Sequence, residues 1–248
     1  MKLLSIGNSF SQDAHRYLHK LATEAGFELE TVNLFYGGCS LKQHWEFYEQ
    51  NLAVLDIHFN GGTFEKKVSL KEALEADTYD VITLQQASHF SGIPKTYFPY
   101  LQKLANLIRE KQPNAQIYFH QTWAYEKNTQ HSGFLRYDKN QHEMFRRILD
   151  ASEMASVVID APIIPCGTVI QTLRDTVKEF DVDNGGISLN RDGFHLSLDY
   201  GRFAAAATFL RVLSQNPIKI DNFNNFDTDS VNKDVINKIL TVVEDVCK

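Results

Sequence analysis

Five short apolar runs, at residues 3–6, 29–35, 81–84, 117–119 and 157–159, alternate with longer stretches whose apolar residues recur at helical spacing. Runs this short suit buried strands, and strands that alternate with helices build a mostly parallel sheet covered on both faces. The expectation is an α/β fold with a five-stranded sheet. In such a sheet ligands bind beyond the carboxyl ends of the strands, so the residues just after each run are the informative ones.

After the first run comes Asn8-Ser9, and a helix is predicted over about 12–25, with Ala14, Leu18, Leu21, Ala22 and Ala25 on one face and Gly26 as a stop. The second run leads into Tyr36-Gly37-Gly38-Cys39-Ser40, the third into Gln85-Gln86-Ala87-Ser88-His89, and the fourth into His120, Gln121 and Trp123. Residues 56–68, with Asn60-Gly61-Gly62 near the middle, read as a hairpin inserted between the second and third strands. Residues 221–234 read as an Asn- and Asp-rich loop, and an amphipathic helix is expected around 230–247. The whole of 1–248 is read as one domain.

Composition narrows the function. Hydrophobic residues make up 43% and charged residues 23%, proportions that fit a soluble globular protein and neither a membrane-embedded nor a disordered one. A net charge of −6 with no basic run argues against nucleic acid as a partner. Cys39, Cys166 and Cys247 are odd in number and far apart, which fits a reducing compartment, and the first residues are too short an apolar run for a secretory signal. A cytoplasmic protein acting on a small molecule is expected.

Chemistry enters with two segments, Ile6-Gly7-Asn8-Ser9-Phe10 and Arg191-Asp192-Gly193-Phe194-His195. They supply a serine, a histidine and a carboxylate. A serine hydroxyl is a weak nucleophile until an imidazole takes its proton, and a carboxylate holds that imidazole in the working tautomer. With Gly7-Asn8-Ser9 after the first strand, glycines after the second, amides after the third and Asp192-x-x-His195 near the end, the chain resembles the SGNH hydrolases, the GDSL-like esterase and lipase superfamily. Its Gly-Asn-Ser-Phe-Ser and Leu-Gln-Gln segments resemble a divergent branch of that superfamily. The resemblance implies a flavodoxin-like three-layer α/β/α sandwich, with Ser9 as nucleophile, His195 as base and Asp192 as its orienting partner. The strained Gly-x-Ser-x-Gly elbow of the α/β-hydrolases is missing.

The second block of the superfamily maps to Gly37-Gly38. Gly38 is the favoured oxyanion donor, because no Cβ would obstruct its N–H; a glycine-permitted turn is the other reading. The third block departs from the family pattern: Gln85-Gln86-Ala87-Ser88-His89 stands where Gly-x-Asn-Asp is usual, leaving Gln86 and Ser88 as alternative donors. Trp123 is a candidate to stack on a sugar ring, or simply covers a loop. Arg174 is a candidate for a substrate carboxylate, or pairs with a surface acid.

No cofactor or metal is expected. His15 and His19 have zinc-helix spacing, but Arg16 stands where a zincin has glutamate, so they read as an exposed helix face; residues 181–192 lack the glutamate that closes a calcium loop. The leading expectation is an ester hydrolase, with an O-acetylated carbohydrate as the favoured substrate. A lipase, thioesterase or arylesterase with the same triad is the alternative within enzymes. A non-catalytic flavodoxin-like binding module is the alternative outside them.

Overall fold

A computed structural model describes residues 1–62, 64–220, 223–228 and 231–248. Seven strands form one sheet: β1 (Lys2–Gly7), β2 (Glu30–Phe35), β3 (Leu55–Phe59), β4 (Phe64–Val68), β5 (Val81–Leu84), β6 (Gln116–His120) and β7 (Ile163–Ile164). Their order across the sheet is β4-β3-β2-β1-β5-β6-β7. The five strands from β2 to β7 run parallel, while β3 and β4 pair antiparallel at one edge. The count exceeds the expected five because the hairpin around 56–68 joins the sheet: Val32 to Phe35 of β2 pair with Phe59 to Asp56 of β3. Thr63, at its turn, lies outside the described residues.

The parallel strands alone have the flavodoxin-like arrangement, with the chain moving outward from β1 to β2 and then crossing to β5 on the other side. This reversal opens a crevice at the carboxyl end of β1, where Ser9 follows.

Helices cover both faces. On one side lie α1 (Ser9–His15), α2 (Leu18–Glu24), α7 (Cys166–Thr176), α8 (Tyr200–Ser214) and α9 (Lys233–Val246); on the other lie α3 (Leu41–Glu49), α4 (Leu70–Glu75) and α5 (Tyr100–Lys111). The pleat divides β1 between the two cores, with Leu3 in the first and Leu4 and Ile6 in the second. Helix α6 (Gln141–Ile159) contributes to both: Met144 and Ile148 face one core, Ala151, Ala155 and Ile159 the other.

Two sequence expectations shift. The run at 157–159 is the end of α6, not a strand; Val157 is 81% exposed, and the last strand of the sheet is the short β7 that follows. The helix expected over 12–25 begins earlier, at Ser9, and is split at Arg16-Tyr17 into α1 and α2. The C-terminal helix starts at Lys233, and Asp221, Asn222, Asp229 and Ser230 of the preceding stretch lie outside the described residues. All three cysteines are free. No helix among the described residues is long and apolar enough to cross a membrane.

Candidate active site

Ser9 is the first residue of α1, directly beyond β1. Its Oγ lies 2.8 Å from His195 Nε2, and His195 Nδ1 lies 2.7 Å from Asp192 Oδ2. An ionised carboxylate only accepts, so the ring donates from Nδ1, and Nε2 of the neutral imidazole is left to accept the serine proton. Asp192 Oδ1 also accepts the N–H groups of Phe194 (3.1 Å) and His195 (2.7 Å). Burial would raise the Asp192 pKa, but the bonds from the His195 ring and these two amides outweigh it and hold the carboxyl below its ordinary value of 3.8.

The loop carrying Asp192 and His195 is fixed from several directions. Gly193 has φ +83°, and a Cβ there would come within 2.7 Å of Thr129, so the tight turn requires glycine. Asp13, buried on α1 one turn beyond Ser9, accepts from Arg191 Nη1 (3.0 Å), Arg202 Nε (2.8 Å) and the Leu196 N–H (2.9 Å). One short helix therefore presents the serine and anchors the loop of the histidine. Nothing in the local sequence marks Asp13; only its partners 178 and 189 residues away give it this role.

Asn8 uses its amide in both senses. Its Oδ1 accepts the Phe10 N–H (3.0 Å) and Gln85 Nε2 (2.8 Å), while its Nδ2 donates to the Cys39 carbonyl (3.0 Å). Gln85 Oε1 in turn accepts from His120 Nδ1 (2.8 Å). Residues after β1, β2, β5 and at the end of β6 are thus stitched together beneath the cleft. Gln85 and His120 are buried parts of this network that motif reading did not single out as such.

Of the expected oxyanion donors, Gly38 and Ser88 both line the cleft beside Ser9, a cavity of about 540 Å³. Gly38 has φ +65°. Ser88 Oγ is 2.7 Å from the Tyr125 hydroxyl, whose pKa burial pushes up, keeping it protonated. Gln86 is excluded by its partners: Oε1 accepts from the Leu41 and Ala87 N–H groups, and Nε2 donates to Thr96. It caps the start of α3 and does not line the cleft beside Ser9.

Of its two readings Trp123 takes the second, covering a loop, while Arg174 takes neither of its own. The Trp123 ring is wholly buried, stacks on Phe10 at 4.2 Å and donates to the Phe194 carbonyl (2.8 Å), so no face is open to a sugar. Arg174 donates to the Ala124 carbonyl (3.0 Å) and Asn190 Oδ1 (2.5 Å), with neither a substrate cleft nor a surface acid as partner. Both residues support the 190–195 loop. His15 is buried, not exposed, with Nε2 on Ser5 Oγ at 2.8 Å. No group of metal-ligating side chains is present among the described residues.

Solved structures share this architecture. A structure from Slackia heliotrinireducens, classed provisionally as an SGNH hydrolase, superposes with a TM-score of 0.58 at 19% identity, over 86% of this chain and 98% of that one. The acetylxylan esterase Axe2 from Geobacillus stearothermophilus gives 0.52 at 15% identity, over 85% and 92%. At these identities the likeness is one of fold, and it is the fold of the SGNH hydrolases. Curated protein sequences give no match. Much nearer is a DUF4886 family protein from Bacteroides uniformis ATCC 8492, with TM-score 0.89 and 34% identity over 99% of this chain and 94% of that one. A profile of the family described as "Domain of unknown function (DUF4886)" matches residues 2–242, and the chain belongs to that family.

Proposed function

We propose that this protein is a serine hydrolase that cleaves carboxylic esters through an acyl-enzyme on Ser9. The observation that supports it is the unbroken hydrogen-bonded series Ser9–His195–Asp192, whose Ser9 and His195 line the cleft. In this reading the Ser9 oxygen attacks the ester carbonyl as its proton passes to His195 Nε2, and Asp192 stabilises the imidazolium through Nδ1–H. The tetrahedral oxyanion is held by the N–H groups of Ser9 and Gly38 and by the Ser88 hydroxyl, which takes the place of the missing third-block asparagine. Collapse breaks the bond to the alcohol, which leaves with the proton from His195. Water, activated by the same base, then releases the acid and restores the serine.

An O-acetyl group on a carbohydrate is the substrate we favour, a reading that the acetylxylan esterase named above supports only through its shared fold. Labelling with a fluorophosphonate probe is the direct test: wild type reacts, while Ser9→Ala and His195→Ala do not. Ser9→Ala is expected to lose on the order of 10³-fold or more in kcat. An unlabelled wild-type protein would leave the non-catalytic binding module instead. Rates on 4-nitrophenyl acetate, butyrate and octanoate then fix acyl length, and a strong octanoate preference would overturn the acetyl assignment.

A further inference from the structure

The cleft beside Ser9 is lined mainly by uncharged groups. Phe10, Phe35 and Phe194 give it apolar surface. His89 and His131 also line it, and both are driven towards the neutral form, first by burial; the positive charge of Arg136 comes next for His89, whose pKa falls to about 4, while for His131 it follows the effect of His195. Arg136 is the one permanently charged side chain lining this wall among the described residues.

Arg136 is held ready. It lies in the last turn of the short 3₁₀ segment Ser132–Tyr137, with its guanidinium over the Phe90 ring at 5.3 Å. Its carbonyl accepts from Arg147 Nη1 (3.2 Å), and Arg147 is tied to Glu143 at 2.6 Å. The neighbouring cations have carboxylate partners, Arg146 pairing with Glu143 and Asp150 and Arg147 with Glu143. Arg136 has no such ion pair among the described residues. In a chain of net charge −6, a stacked and unpaired guanidinium on the wall of an otherwise neutral cleft is a recognition element for an anion. Because Arg146 and Arg147 beside it are already taken up by Glu143 and Asp150, Arg136 offers one uncommitted planar fork, which matches a monoanionic carboxylate better than a phosphate dianion.

We infer that the ester taken by this cleft carries a carboxylate, in its acyl or its alcohol half, and that Arg136 binds it. The inference rests on reading the cleft as a hydrolase site. The acyl arm of its test compares mono(4-nitrophenyl) glutarate with 4-nitrophenyl pentanoate; the alcohol arm compares O-acetyl glucuronic acid with O-acetyl glucose. In wild type the acidic ester of one pair is expected to have a kcat/KM about tenfold above its neutral partner, and the pair that responds tells which half bears the charge. Arg136→Ala removes that ratio, Arg136→Lys retains part of it, and added salt lowers it. A ratio equal in wild type and Arg136→Ala in both pairs, with neutral esters still hydrolysed, overturns the carboxylate site and leaves the hydrolase reading standing. Calorimetric binding of mono(4-nitrophenyl) glutarate to Ser9→Ala, compared with the Ser9→Ala/Arg136→Ala double variant, gives the converse. Binding lost in the double variant, in a protein whose wild type hydrolyses no ester, keeps the site and overturns the hydrolase reading; equal binding in the two variants both of this ester and of O-acetyl glucuronic acid overturns the site.

Discussion

A carboxylate does little for a neighbouring histidine unless it is held ionised and in the right place, and Asp192 has both conditions met by three hydrogen bonds. Because its pKa is depressed in the folded protein, its stabilising contribution is present above about 3.8 and is lost only as pH falls below that. Asp192→Asn is expected to lower kcat by about 10²–10⁴-fold, since the amide can present an N–H to the ring and favour the wrong tautomer. Stopped assays at saturating ester check this; a loss under threefold would remove Asp192 from the mechanism. Ser88→Ala should lower kcat by about 10²-fold with little change in KM, the signature of an interaction made mainly in the transition state. Ser9, Asp192 and His195 were legible because each lies in a short segment with a recognisable pattern. Gln86, Trp123 and Arg174 were not, because partners distant in sequence decide what a polar or aromatic side chain does, and each of these spends its hydrogen bonds on the scaffold.

At the scale of elements, α1 is the organising piece, with Ser9 and Asp13 on its first two turns. Asp13 is a buried charge met by two guanidinium groups and one amide, and removing one member of such a set costs about 3–5 kcal/mol because the others are left buried and uncompensated. Asp13→Ala is therefore expected to lower the urea midpoint strongly and to raise hydrogen exchange in residues 189–198 before the rest of the protein. Uniform exchange across the chain would show that Asp13 does not anchor that loop. Asn8→Asp should be harmful: a carboxylate cannot donate to the Cys39 carbonyl and would face it as a second acceptor. A loss of about 1–3 kcal/mol in stability is expected from chemical denaturation. The alternation of runs and helices made the layers legible. The run at 157–159 misled because a short apolar segment has no periodicity to separate a strand from the end of a helix.

Across the whole molecule, the polar seam between sheet and helices sets the response to acid. His15, His44 and His120 are buried and neutral, with burial as the first cause and pKa values lowered to about 3, 4 and 3. Unfolding returns each to about 6.5, so the unfolded chain binds more protons below that pH. The stability due to their neutral burial is complete above pH 6.5 and falls as pH drops towards 4, by about 1.4 kcal/mol per unit for each histidine. Urea midpoints measured from pH 7.5 to 4.5 should decline steeply, and His120→Gln should show the shallower slope. A midpoint independent of pH over that range would mean these histidines are not buried neutral. The sheet itself was foreseen in type but not in extent. The hairpin of β3 and β4 was legible from its turn, but not its pairing with β2, because register depends on a partner more than twenty residues away. At the open edge, β4 carries exposed Lys66 and Lys67, which discourage pairing with another chain.

Ser9 and His195 stand 186 residues apart in the chain yet share a hydrogen bond. During synthesis the serine is made first and its base follows roughly 10–40 s later at ordinary rates of translation. Until the last third of the chain emerges and Asp13 captures Arg191 and Arg202, the nascent polypeptide carries a hydroxyl with no base to activate it. Closure of the Ser9–His195 pair is thus a late event in the birth of the molecule, set by topology.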